Sequence, residues 1–161
     1  MITLTPAERD IHRVLSNRAR EADPAKPREA CLTYKELGLL IDSEGRNTGM
    51  SRPPFRTLFP ALGNVSRYEV EHGRPMLSAL VVAQDTRVPG PGFVELARHL
   101  ELPVNDPDTY WEEELSEVVR FWSAHDPVLV LDAATDRLMG ELGAIKAAIQ
   151  RLGDARSHHS R

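Results

Sequence analysis

Apolar residues recur at helical spacing along most of this chain, interrupted once by a short continuous apolar run. Ile11, Val14 and Leu15 form the first stripe, behind Thr5-Pro6-Ala7-Glu8, a capping box with proline at the first helical position. Asp23-Pro24-Ala25-Lys26-Pro27 ends that helix, because each proline disfavours helix in the residue before it. Thr33-x-x-Glu36 is a second capping box and leads into Leu37, Leu39, Leu40 and Ile41. Positions 43–54 are polar, rich in Gly and Pro, and read as an exposed loop. Leu58, Leu62, Val65, Tyr68 and Val70 predict the next helix over about residues 54–72, with Pro60 and Gly63 interrupting it early.

The continuous run, Leu77 to Ala83, predicts a buried strand framed by Pro75 and by Gln84-Asp85-Thr86. Val88-Pro89-Gly90-Pro91-Gly92 then makes any return strand short, as in a hairpin or wing turn. Phe93, Leu96, Ala97 and Leu100 mark a helix of two to three turns. Beyond Asn105-Asp106-Pro107, Trp111, Leu115, Val118 and Trp122 line one helical face, and Glu112, Glu113 and Glu117 the opposite one. Leu131, Leu138, Leu142, Ile145, Ile149 and Leu152 follow heptad or four-three spacing, with Thr135 in the gap. That stripe is either a seam to a second copy or another protein, or one helix packed on its own domain.

Helix, helix, hairpin is the chain order of a winged helix-turn-helix. The expected fold is therefore mainly α with a small β-hairpin: a winged helix-turn-helix core followed by C-terminal helices. The expected division is a winged-helix-like domain over 1–104, a helical extension with a possible coiled coil over 105–153, and a flexible tail over 154–161.

Composition narrows the function class. The 161 residues carry 41% hydrophobic residues, enough for a core, and a net charge of −4, which argues against indiscriminate nucleic-acid binding. The distribution alters that picture. Residues 1–92 hold 13 basic and 11 acidic side chains, residues 93–161 hold 7 and 13. Between Gly45 and Gly92, Arg46, Arg52, Arg56, Arg67, Arg74 and Arg87 face only Glu69, Glu71 and Asp85. An arginine-biased first part is able to bind phosphates while the acidic second part does not. Arginine- and proline-rich usage is equally what a GC-rich genome produces. The single cysteine, Cys31, precludes an internal disulfide and a multi-cysteine zinc site, and fits a reducing, cytoplasmic compartment. No signal peptide and no membrane span are expected.

Catalytic motifs are thin. Gly90-Pro91-Gly92 lacks the third glycine and the lysine of a phosphate loop. Glu69-x-Glu71-His72 lacks a third metal ligand nearby and reads as a polar surface face, as do Glu112, Glu113, Glu114 and Glu117. Cys31 reads as a small buried thiol. No enzyme activity, cofactor or metal is expected.

The region 32–93 resembles the DNA-binding domain of the O6-alkylguanine alkyltransferases and the alkyltransferase-like proteins. Thr33-Tyr34-Lys35-Glu36-Leu37-Gly38 is similar to the family's Thr-Tyr-Gly-Glu-Leu-Ala motif, and Arg56-Thr57-Leu58-Phe59 to its Arg-Ala-Val-Gly motif. Pro75-Met76-Leu77-Ser78-Ala79-Leu80-Val81-Val82 parallels Pro-Cys-His-Arg-Val-Val in its proline and its apolar strand. The resemblance covers about 60 residues and implies a winged helix, with Tyr34 near a phosphate and Arg56 entering the base stack. Met76 stands where that family has its acceptor cysteine, so alkyl transfer is excluded. The expected function is non-enzymatic binding of double-stranded DNA through Tyr34, Arg46, Arg52, Arg56 and Arg87, by a regulator that dimerises through Leu131–Leu152. The alternative is a protein-interaction module or accessory subunit of a larger bacterial assembly.

Overall fold

The computed structural model describes residues 2–44 and 55–125, and residues 142, 144–146 and 149 of the C-terminal segment. Two compact units result, Met1–His125 and Asp126–Arg161. The first contains α1 (Pro6–Arg20), β1 (Leu32–Thr33), α2 (Tyr34–Glu44), α3 (Phe55–Glu71), β2 (Val81–Val82), α4 (Gly92–His99) and α5 (Pro107–Ala124). Short 3₁₀ helices cover Pro27–Ala30 and Leu77–Leu80. The fold is mainly α with a small sheet. No described helix is long and apolar enough to cross a membrane.

Both predicted capping boxes form. Thr5 N donates to Glu8 Oε2 at 2.8 Å while Glu8 N donates to Thr5 Oγ1 at 3.3 Å. Asn64 Nδ2 of α3 donates to Glu8 Oε1 at 2.7 Å, so the same carboxylate that starts α1 also ties it to α3. Ile11, Val14, Leu15 and Ala19 are the buried stripe of α1. At the second box, Thr33 donates to Glu36 Oε2 from its backbone N (2.7 Å) and from Oγ1 (2.8 Å), and Glu36 N donates back to Thr33 Oγ1 (3.2 Å). α3 runs unbroken through Pro60 and Gly63, against the expected interruption. Proline there removes one backbone donor, the bond to the carbonyl of position 56, and the remaining bonds of a 17-residue helix carry it past.

The apolar run after Pro75 departs most from expectation. Leu77–Leu80 is a 3₁₀ turn, and only Val81 and Val82 are strand. Its own 3₁₀ bonds, Ala79 N to Met76 O at 3.1 Å and Val81 N to Ser78 O, are completed by side chains and not by a ladder. Glu114 Oε1 accepts from Met76 N (2.6 Å), Ser66 Oγ from Ser78 N (3.3 Å), and Ala79 O accepts from Trp111 Nε1 (2.9 Å). Leu77, Ala79 and Leu80 are buried, an environment in which an apolar run alone cannot distinguish strand from helix.

The sheet is likewise not a hairpin. β1 and β2 pair in parallel, Leu32 with Val81 and Thr33 with Val82, so the strands come from distant segments. After β2 the chain turns back on itself, with Ala83 N donating to Val88 O at 2.9 Å and Arg87 N to Ala83 O at 3.1 Å. No return strand follows among the described residues. Pro89 and Pro91 lack the N–H groups that a ladder needs.

α5, placed by the sequence in an extension starting at 105, belongs to the first unit. Asp106 caps it, accepting from Asp108 N at 3.0 Å, and Pro107 opens it. Tyr110, Trp111, Leu115, Val118, Val119 and Trp122 are buried in the same core as α1 and the second 3₁₀ helix. The compact unit thus runs to His125.

Candidate functional site

Three of the five arginine and tyrosine positions expected at a nucleic acid, Tyr34, Arg56 and Arg87, fall on described residues, and Tyr34 and Arg87 lie toward the N-terminal end of α2. Tyr34 is its first residue, set there by the Thr33–Glu36 capping box. Its ring lies 4.6 Å from that of Phe59, tilted by 39°. Phe59 is on the second turn of α3. The start of the candidate recognition helix therefore stands beside Tyr34. Arg87 reaches the same helix end from the 83–88 turn, its Nη1 3.9 Å from Glu36 Oε2. Arg46 and Arg52 lie outside the described residues, and for Arg56 the structure describes the backbone only.

Electrostatics at this edge draw in one residue the sequence reading missed. Hydrogen bonds from Thr33 hold the Glu36 carboxyl below its ordinary value, and the charges of Arg87 and Arg18 add to that effect. Burial raises the Cys31 thiol, opposed by Arg87, Arg28 and Arg18, so Cys31 is the buried, un-ionised thiol the sequence predicts. Burial also raises the Tyr34 phenol. Arg18, on the last turn of α1, is oriented by donating to the carbonyls of Ala30 (3.3 Å) and Glu29 (3.2 Å). Phe59 is the second missed residue. It sits one step round from the Leu58–Leu62–Val65 stripe and is 52% exposed, a large apolar ring at the rim of the core. The sequence signals for it are that position beside a buried stripe and its place at the end of Arg56-Thr57-Leu58-Phe59.

Arg87 has φ of 56°, in the left-handed region that favours glycine. The turn holds an arginine where a smaller residue would be easier, and its guanidinium stays exposed. At that exposure and distance the Glu36 pair is weak, and a phosphate can compete with it.

Two of the remaining acidic readings are corrected. Glu69, read as part of a polar surface face, is 0% exposed. It accepts from His12 Nε2 (2.9 Å) and from Arg74 at 2.6, 3.0 and 3.1 Å. Burial pushes its carboxyl up, but the bonds from His12 and Arg74 outweigh that and leave it below its ordinary value. Arg74 is thereby removed from the surface arginine set. Its guanidinium lies over Tyr68 at 5.3 Å and Trp122 at 6.0 Å. Glu114, read with the solvent face of α5, instead turns inward to Met76 N and to Tyr110 Oη, which donates to it at 3.4 Å. Burial raises the Glu114 carboxyl above its ordinary value. Among the described residues no group of three His, Cys, Asp or Glu side chains could hold a metal ion.

In the second unit, Leu142, Ile145 and Ile149 are helical and 60%, 57% and 64% exposed. Leu131, Leu138 and Leu152 of the same expected interface lie outside the described residues. The class of protein defined so far is a mainly helical unit with a two-strand parallel ladder and a basic, aromatic edge. No protein-family model, no curated protein and no solved structure matches this chain.

Proposed function

We propose that this protein binds nucleic acid without catalysis, through the edge formed by Tyr34, Phe59, Arg87 and the start of α3. The observation that carries the reading is convergence. The Tyr34–Phe59 pair and the Arg87 guanidinium, from three separate segments, lie toward the same end of α2, the first at Tyr34 itself and the second beside Glu36. Position 56 is on the adjoining turn of α3. Phosphate neutralisation by arginine supplies the affinity. Two of the three segments similar to the alkyltransferase DNA-binding domain, 33–38 and 75–82, are also neighbours, since β1 and β2 pair. That adjacency supports a variant winged helix in which a compact turn stands where the wing would be.

A second reading has its own observation. The exposed Leu142, Ile145 and Ile149 stripe at four-three spacing is what a partner helix covers, in a second copy or in another protein. The two readings are compatible if the second unit dimerises the first.

Titrating a labelled duplex at low and moderate salt tests the proposal. Binding through about three or four phosphates should fall roughly with the third power of salt concentration. Arg87→Gly should weaken binding about tenfold while leaving stability within about 1 kcal/mol of wild type, because glycine relieves the left-handed backbone as it adds unfolded-state freedom. Salt-insensitive binding, or full affinity in Arg87→Gly, would contradict the assignment.

A further inference from the structure

We propose that the Tyr34–Phe59 pair is a stacking platform for an unpaired nucleobase, so that the protein prefers single-stranded segments over intact duplex. The inference rests on the nucleic-acid reading above and names the form of nucleic acid that edge takes.

Phe59 offers water about half of its surface at the end of a buried stripe, and its ring leans on Tyr34 at 4.6 Å. Both rings stand on helices, α2 and α3, rather than on a loop, so the surface they make is fixed in advance. Such a surface gains little from B-form DNA. The faces of paired bases are hidden in the stack, and a groove presents only their edges. An unpaired base has a free face, and stacking it on an aromatic side chain strengthens binding whatever the base. The charges around the platform fit the rest of that ligand. Arg87 lies at the same end of α2, and the Arg18 charge reaches Glu36 there as well. A base on Phe59 would lead its adjoining phosphates along the end of α2 where Arg87 stands beside Glu36. An apolar peptide would cover the rings but make no use of the exposed Arg87 guanidinium. Charge complementarity therefore selects a polyanion with exposed π faces.

The test compares a labelled single strand with the duplex of the same sequence by anisotropy, at one salt concentration, with the full chain. Wild type should bind the single strand roughly tenfold more tightly, the effect of about one stacked base. Phe59→Leu keeps an apolar contact with Tyr34 and should melt like wild type, yet bind strand and duplex equally. Phe59→Trp, with a larger face, should keep or widen the preference even if the leucine variant folds poorly. Equal affinity of wild type for the two forms overturns the platform and leaves the nucleic-acid reading standing. So does a preference that survives Phe59→Leu. Absence of binding to either form overturns both.

Discussion

Replacing Glu69 by alanine is expected to lower folding stability by about 3–5 kcal/mol, the usual cost of removing one member of a buried ion pair. The reason is the charge left behind. Arg74 is largely buried against Tyr68 and Trp122, and without Glu69 its guanidinium loses all three of its short contacts at once. His12 loses its Nε2 partner in the same step, and its ring stays wedged edge-on against Tyr68 and Trp122. The cluster joins α1, α3, α5 and the Gly73–Pro75 corner, so the loss is global rather than local. For a domain of this size the expected cost is a large fraction of total stability, about 5–15 kcal/mol. Denaturant unfolding at neutral pH measures it, and a cost under about 1 kcal/mol would refute the central role of the cluster.

The pH dependence follows from the same carboxylate. Its folded value lies below the ordinary 4.5, so the contribution is complete above that value and disappears as pH falls through the folded one. Glu8 and Glu36, also held low, act in the same direction. Glu114 acts in the opposite one. Its folded value is raised, so its contribution is complete below the ordinary value and is lost as pH rises through the folded one. Glu69→Gln should therefore flatten the acid limb of the stability profile, and Glu114→Gln the limb above it.

Trp111→Ala is expected to cost about 4 kcal/mol or more, combining an emptied aromatic site with an unmet backbone acceptor. Trp111 is buried, and its Nε1 donates to Ala79 O inside the second 3₁₀ helix. That carbonyl has no ladder partner to fall back on, because the segment is a turn and not a strand. Outside the core, the Arg28 guanidinium lies 5.2 Å from the Trp111 ring and pairs with Glu112. If α5 were an appendage, the substitution would release one helix and spare the rest. Since α5 is part of the core, a single cooperative transition should shift as a whole, and loss of α5 signal alone would contradict the packing described.

The local signals were legible in the sequence where chemistry is local. Thr5–Glu8 and Thr33–Glu36 specify helix starts within four residues, and the Trp111–Trp122 stripe specifies which face of α5 is buried. What depended on partners distant in the chain was not. Leu77–Val82 reads as a strand because nothing nearby shows that Ser66, Trp111 and Glu114 will satisfy its backbone. A hairpin was expected because adjacent segments usually pair, whereas β2 pairs with β1 across the whole α2–α3 region. Glu69 reads as superficial because its burial depends on the fold turning Arg74 inward and bringing up His12, 57 residues earlier. At the candidate site, Tyr34 and Arg87 were identified from motif and charge, while Arg18 and Phe59 acquire meaning only once α1 and α3 are folded beside α2.

Hydrogen exchange with and without nucleic acid tests the central claim most directly. On addition of an oligonucleotide with paired and unpaired regions, protection should rise at residues 31–36, 55–60 and 84–88, the three segments of the α2 edge. Residues 142–149 should show no change attributable to the ligand. Protection absent from that edge, or confined to the second unit, would contradict the account and make the exposed Leu142–Ile149 stripe the functional surface.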